Sequence, residues 1–457
     1  MNRNSTVYYC LYNLIADISP VNFYEVDHKD SPKNFKKDEI VVIIVEFFLK
    51  ETKKGGFYFK SDKSHCKVYY ETHWVNLDTQ LIGNLLTQCA LKLNVDSKLA
   101  KHHKFKDNLT SQILSVIEPC IQNDKDFILL NLENGTLQIE KDSYWLKNFD
   151  PKDDLDYKLN YCFDPKAKAD LFLEFLDEVI PDKEKQINLQ EFFGYLFISN
   201  LDFSLSKILV LYGEGANGKS VIYELASALL HHSNIRSYSI EKLTDNSGYA
   251  RYDISGRILN YATEISKSYD INMIKKIASG EPIDIRQPYG VQMESKSYAK
   301  LIINCNELPT IFEYSNGFFR RLLILHFDKI ITEDKQDPEL SKKIIKNELP
   351  GILNWVLEGR TRLYRNRKFS ACQSSKHLMA EYKKDSVTQF IEEFNYQYDN
   401  ENYILQSDLY KHYTSFCQEQ GIKPFILKKF KSVFQKNNFN IERKNSGMVI
   451  YTSRLQP

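Results

Sequence analysis

The chain has 457 residues, of which 42% are hydrophobic and 13% aromatic, with a formal net charge of +1. That length suggests about three domains at ~150 residues each, with apolar surface for several cores. The charge balance excludes a uniformly basic nucleic-acid coat and an acidic disordered chain, so any nucleic-acid surface has to be a local patch.

No apolar run approaches the ~20 residues of a membrane helix. Residues 1–10 show no basic segment followed by an apolar core. The expectation is therefore a cytoplasmic protein with no signal peptide and no membrane partner. The 17 glycines and 13 prolines are too few for long flexible linkers. Cysteines 10, 66, 89, 120, 162, 305, 372 and 417 form no CxxC pair. Free thiols are expected, with ordered disulfides or a zinc site as the alternatives.

In chain order, Asp27, His28 and Asp30 read as an acidic turn, and the apolar run Val41–Leu49, broken by Glu46, reads as a buried strand. Residues 68–77 predict a strand and turn around an aromatic anchor, and Leu81–Leu93 an amphipathic helix. Phe127–Ile139 carries Asn134-Gly135 between apolar runs, which predicts a hairpin with a type I′ turn. Two helices are expected over Lys166–Val179 and Leu189–Phe197, divided by Pro181-Asp182. Residues 207–326 alternate apolar strand runs with helical segments, an α/β pattern. The tail 386–457 reads as three helices followed by a strand at 448–451. No internal repeat is evident.

The strongest local signal is Gly213-Glu214-Gly215-Ala216-Asn217-Gly218-Lys219-Ser220, which satisfies G-x-x-x-x-G-K-[ST]. An apolar run, Ile208–Tyr212, precedes it and a helical pattern, Val221–Leu230, follows. Strand, glycine loop and helix together present backbone N–H groups and a helix N-terminus to phosphate oxygens. In that arrangement Lys219 neutralises the β- and γ-phosphates of ATP and Ser220 offers its hydroxyl to Mg²⁺.

Three weaker elements follow. Arg257–Glu264 is an apolar run ending in a carboxylate able to serve metal and water, with a solvated strand end as the plainer alternative. Leu301–Asn306 is a strand run ending in Asn306, a candidate γ-phosphate contact or simply a turn former. Arg320 and Arg321 precede the run Leu322–Phe327, where an arginine can reach a phosphate across a subunit boundary or form a surface ion pair.

This order of elements resembles a superfamily 3 helicase of the AAA+ class. More closely, it is similar to the helicase part of the phage/plasmid and poxvirus-type primase–helicases. The likeness extends to Leu130–Gly135, Glu191–Tyr195, Ile274–Ile283, Asn306-Glu307-Leu308-Pro309 and Glu348–Trp355, covering about residues 120–455. It implies an α/β fold: an AAA+ P-loop core with a parallel central sheet and a C-terminal winged helix, while residues 1–120, outside it, alternate strand-like and helix-like patterns and read as an α+β N-terminal region. The implied divisions are 1–120, a helical pre-helicase domain at 121–200, the ATPase core at 201–340, a lid and linker at 341–385 and a DNA-binding domain at 386–457.

The resemblance also implies roles. Lys219 and Ser220 take the Walker A roles, Glu264 the Walker B position, Asn306 sensor 1, and Arg321 the arginine finger with Arg320 second. Lys275 falls at a further trans-acting basic position. Some relatives carry two adjacent acids where this chain has Thr263-Glu264. A channel hairpin over 285–296 would contact single-stranded DNA through Arg286, Gln287, Tyr289 and Lys296, where Tyr289 could stack on a base. Residues 421–457 carry eight basic side chains against one acid, and Lys428, Lys429 and Lys431 are candidate phosphate-backbone contacts.

The expected activity is that of a replicative helicase of a phage, plasmid or mobile element in a bacterial host. It would use ATP and Mg²⁺ in a hexameric ring on single-stranded and forked DNA, with a separate primase or initiator as a possible partner. The alternatives are an ATP-switched DNA-binding initiator and the helicase half of a bifunctional primase–helicase.

Overall fold

The computed structural model describes residues 3–26, 35–62, 65–119, 126–263, 269–288, 290–308, 316–382, 384–420 and 424–454. Asp27, His28, Asp30, Cys120, Glu264 and Tyr289 lie outside them. The fold is mixed α/β and contains a five-stranded parallel sheet.

The N-terminal region is built on helices Arg3–Ala16, Lys37–Lys54, Thr79–Lys92 and His103–Val116 around the strands Tyr58–Asp62, His65–Tyr70 and His73–Leu77. The segment expected as a strand at 41–49 is instead part of the helix Lys37–Lys54. Its β-branched residues favour a strand, but Val41, Ile44, Val45, Phe48 and Thr52 fall on one buried helical stripe. Asp38 and Glu39 in the first turn and Lys53 and Lys54 in the last complement the helix dipole. The aromatic anchor of the 65–77 hairpin is Trp74. Its backbone N–H donates to Leu155 O (2.8 Å) and its ring N–H to Pro151 O (2.9 Å), docking this region onto the next.

Strands Ile128–Leu132 and Gly135–Glu140 form the expected hairpin, but its register moves the turn by one residue. Leu132 pairs with Gly135, so the two-residue loop is Glu133-Asn134. Gly135 has φ +143°, whereas Asn134 is not left-handed. The Asn134 side chain instead clamps Phe163, accepting from its N–H and donating to its carbonyl at 2.9 Å each.

Helices Asp170–Val179, Lys183–Leu196 and Leu340–Asn366 share one core with this small sheet, the helix Lys219–Leu230 and one face of the parallel sheet. Helices Lys183–Leu196 and Leu340–Asn366 meet backbone to backbone. A Cβ on Gly194 would lie 2.2 Å from Arg360 N, and one on Gly359 2.3 Å from Gln190 O. The order across the parallel sheet is Leu322–His326, Ile208–Tyr212, Lys300–Cys305, Leu259–Ala262, Ile235–Arg236. All five carboxyl ends therefore emerge at one edge, where open α/β sheets bind ligands.

The opposite face of the sheet packs against short helices at 240–253, the helix Ile271–Ser279 and the base of a two-stranded hairpin, Ile283–Arg286 with Gln292–Ser295. A separate core holds the C-terminal helices Ser386–Glu393, Gln406–Glu419 and Leu427–Lys436. A small antiparallel sheet of Tyr403–Leu405, Ile441–Lys444 and Gly447–Tyr451 completes that region. Among the described residues no helix is long and apolar enough to cross a membrane, and no group of three His, Cys, Asp or Glu side chains is placed to hold a metal ion. Among the described residues seven cysteines are free thiols.

Candidate functional site

The loop between strand Ile208–Tyr212 and helix Lys219–Leu230 bends through three left-handed residues: Gly213 (φ +150°), Ala216 (φ +57°) and Gly218 (φ +87°). A Cβ on Gly213 would lie 2.4 Å from Phe327 O, and one on Gly218 2.9 Å from Phe175 and Val179. These glycines therefore serve both the backbone turn and the close packing around it. Gly215 has open space and Glu214 is exposed.

Lys219 is buried at the first position of the helix. Its Nζ donates to Gly213 O (2.5 Å), Glu214 O (2.8 Å) and Asn217 Oδ1 (2.9 Å), so the ammonium is held inside the loop. Burial lowers the Lys219 pKa. Asn217 is itself buried and donates to Phe327 O (3.3 Å), fixing the loop to the end of the neighbouring strand. Ser220 exposes its side chain on the same helical turn. The helix N-terminus and the loop amides form an anion-binding arrangement.

The next strand contributes directly. Gly213 N donates to Cys305 O (3.3 Å), which places Asn306, exposed, beside the start of the loop. Burial pushes the Cys305 thiol up to about 11, with Lys219 pulling the other way. Two residues before Asn306, the buried Asn304 Oδ1 has no hydrogen-bond partner among the described residues. Strand Leu259–Ala262 leads into Thr263, exposed at the same edge, and Glu264 follows it outside the described residues.

The arginine pair lies at the opposite edge of the sheet, just before strand Leu322–His326. That strand is ~17 Å long at ~3.3 Å per residue, so neither arginine shares an edge with the loop of its own chain. Arg321 is buried. Its guanidinium donates to Ser279 Oγ (3.0 and 2.7 Å) and to Gly317 O, which ties it to the end of helix Ile271–Ser279. Burial, then Arg320, lowers the Arg321 pKa. Arg320 is exposed. Lys275 is half-buried on helix Ile271–Ser279.

The hairpin 283–295 occupies the segment expected to contact DNA. Arg286, Gln287 and Lys296 are exposed, as is Val291 at 77%. Its base is held by Arg251, a buried residue that sequence reasoning missed. Arg251 Nε donates to Asp284 O (2.7 Å), and its Nη1 donates to Leu243 O (2.9 Å) and Asp245 O (2.6 Å). In the C-terminal region Phe430 and Phe434 are buried, Lys428 and Lys429 exposed and Lys431 half-buried. Lys429 Nζ lies 3.6 Å from the Phe425 ring centre, and Lys444 Nζ 3.8 Å from that of Tyr403.

A family described as one of unknown function (DUF5906) matches residues 211–321, the stretch from the loop to the second arginine. The Acanthamoeba polyphaga mimivirus protein named "Putative helicase L207/L206" is 28% identical over 246 residues. The fowlpox virus protein named "Primase D5" is 21% identical over 251 residues. Each match covers 51% of this chain but only 25% and 31%, respectively, of the relative, so the chain spans a third or less of their length. Among solved structures, the NrS-1 C-terminal region (residues 305–718) matches with a TM-score of 0.48 at 12% identity. That match covers 92% of this chain and 100% of the other.

Proposed function

We propose that this chain is an ATP-dependent DNA helicase of superfamily 3, serving the replication of a phage, plasmid or other mobile element as a homo-oligomeric, hexameric ring. The parallel sheet and residues 213–220 are its AAA+ P-loop core, and residues 386–454 a winged-helix DNA-binding module. One observation carries this reading: Lys219, buried in a left-handed glycine loop at the carboxyl edge, donates to Gly213 O, and Gly213 N in turn donates to Cys305 O, the residue before Asn306. The words helicase and primase in the viral relatives' names support an enzyme of DNA replication.

In this reading the loop amides and Lys219 bind the triphosphate of ATP, and Asn306 orients the attacking water beside the γ-phosphate. Mg²⁺, when bound, supplies positive charge against the phosphates, and Ser220 and Glu264 are the residues that would hold it. The exposed Ser220 hydroxyl at the helix start fits that role. Glu264 also accepts the proton of the attacking water. The neighbouring protomer supplies the arginine. Exposure favours Arg320 as that residue, while Arg321 braces helix Ile271–Ser279 from within. Arg286, Gln287, Tyr289 and Lys296 grip single-stranded DNA in the ring, and Lys428, Lys429 and Lys431 add backbone contacts.

DNA-stimulated ATP hydrolysis tests the proposal. Lys219→Ala and Arg320→Ala should each be inactive alone, and mixing them should restore part of the rate, because the intact halves meet at shared interfaces. Glu264→Gln should bind ATP without turning it over. A wild-type chain that stays monomeric with ATP and DNA while hydrolysing at full rate would overturn the ring. A wild-type chain that binds ATP and DNA without stimulated turnover would point to a switched initiator.

A further inference from the structure

Helix Gln373–Tyr382 packs on the edge strand Leu322–His326 of the parallel sheet and runs against its direction. Its first turn sits at the carboxyl edge, where the Ser374 hydroxyl donates to Asp182 (2.6 Å) and Gln373 N to Glu184 (2.7 Å). Its last residue, Tyr382, reaches the amino edge, with its ring edge-on to Phe319, centroids 5.9 Å apart and planes 89° apart. Ten helical residues rise ~15 Å, close to the ~17 Å of the strand beneath, so one helix joins the two edges. A cavity of about 360 Å³, lined in part by Lys185, His326, Asp328 and Leu378, lies between the helix and the carboxyl end of the strand. Only Ser375 is buried in this helix. The seat is therefore made by the first turn and by Leu378, Met379 and Tyr382, half-buried against the core of the sheet's second face. Just past the helix, Lys384 Nζ reaches both Glu381 (2.7 Å) and Glu392 (2.9 Å), which ties its end to the first helix of the C-terminal region.

The partner of Tyr382 stands immediately before the exposed arginine. Phe319 and Arg321 are both buried, and Arg320 projects from between them. The backbone there is held as well: Lys207 Nζ donates to Arg320 O (2.6 Å), and Ile208 N to Arg321 O (2.8 Å). With its neighbours anchored, the direction in which Arg320 leaves the surface follows from where those two side chains sit. Arg321 is fixed on Ser279. Phe319 is fixed between Phe318, at 6.3 Å between ring centroids, and Tyr382.

We propose that Tyr382 is a positioning residue for Arg320: its ring, seated on Phe319, fixes the pose in which that arginine meets the triphosphate of the neighbouring protomer. This inference rests on the ring reading and adds to it a residue that lies outside every motif. Tyr382 itself touches neither nucleotide nor DNA in this reading, so its loss acts on turnover and leaves ATP affinity alone.

The test is DNA-stimulated ATP hydrolysis by the full chain. Tyr382→Ala should lower kcat by ~10- to 10²-fold, the cost of a reacting group displaced by about 1 Å. The KM for ATP should stay within about two-fold of wild type. Tyr382→Phe, which keeps the ring, should hold kcat within about two-fold. Mixing separates positioning from a general loss of structure. Tyr382→Ala keeps its own phosphate loop and is defective only in the arginine it donates. It should therefore recover part of the rate with Lys219→Ala, and nothing beyond its residual activity with Arg320→Ala. A raised KM with unchanged kcat, a Tyr382→Phe protein as slow as Tyr382→Ala, recovery with Arg320→Ala, or none with Lys219→Ala would each overturn the assignment. If Tyr382→Ala failed to fold, Tyr382→Leu, which fills the half-buried site without a ring, would be read in the same way. Lys219→Ala mixed with Arg320→Ala is the control, and no recovery there would sink the ring reading itself.

Discussion

The two edges of the parallel sheet are built differently. At the carboxyl edge, eight consecutive residues make a cradle-shaped loop whose lysine, asparagine and glycines hold one another in place. At the amino edge the polar residues come from scattered positions. Arg321 reaches Ser279, Arg251 reaches Asp284, and Lys300 reaches the Ile198 carbonyl and lies 4.4 Å from the Tyr195 ring centre. A cleft of about 1410 Å³ also opens there, lined in part by Lys60, Trp74, Arg257 and Lys300. The first edge is local and self-contained, while the second joins distant segments and leaves Arg320 facing outward.

The largest expected effect tests that division. Arg320→Ala should lower DNA-stimulated ATP hydrolysis by ~10³-fold or more, the range of arginine fingers, with an unchanged thermal midpoint. Arg321→Ala should instead lower stability by about 1–3 kcal/mol, since it removes the donor buried against Ser279 and Gly317. If denaturation and ATPase assays gave the reverse pattern, the outward-facing arginine would not be the one that crosses.

At the carboxyl edge, Gly213→Ala should abolish measurable ATP binding, because the new methyl meets Phe327 O in a left-handed backbone. Gly215→Ala, with nothing within 4 Å, should bind ATP within about two-fold of wild type. Equal losses at both glycines would mean that the cradle depends on flexibility rather than on shape.

The role of Arg251 sharpens the view of the amino edge. Arg251→Lys should keep basal ATP hydrolysis and lose most of its stimulation by single-stranded DNA, because one ammonium cannot replace a guanidinium bonded to three carbonyls. Full stimulation in that variant would show the hairpin to be positioned by its own strands.

The smallest effect is a pH dependence. Burial lowers the Lys300 pKa to about 7 from 10.5. Between about pH 7 and 10.5 the unfolded chain holds this proton and the folded chain does not, so stability rises with pH across that window. Below pH 7 both states are protonated and the contribution is constant. Lys300→Met should flatten the rise and stabilise the protein at neutral pH by about 1–3 kcal/mol, read from urea midpoints at pH 7 and 9. An unaltered slope would exclude Lys300 as its source.

What the sequence disclosed follows the same division. The loop, its flanking strand and helix, and the hairpin at 128–140 were legible because their signals are contiguous. Helix Lys37–Lys54 was misread because five β-branched residues at 41–45 imitate a strand, while the stripe that decides the matter spans twelve positions. The turn at 133–135 was placed one residue off because Asn134 serves Phe163, a partner 29 residues away. The contrast between Arg320 and Arg321 is set by Ser279, 42 positions distant. The cavity lined in part by Lys185, His326, Asp328 and Leu378 draws on segments that no spacing rule connects.

The glycine crossing of helices Lys183–Leu196 and Leu340–Asn366 carries a practical consequence. Because Gly194 and Gly359 leave no room for any side chain between the two backbones, a shortened polypeptide ending at about residue 340 would lay bare Phe192, Leu209 and Leu225, which share a core with Leu353 and Val356. Whoever trims this protein for crystallisation should cut before residue 128 or after residue 369. An excision that keeps only the motif-bearing middle would yield an aggregating fragment rather than a minimal engine.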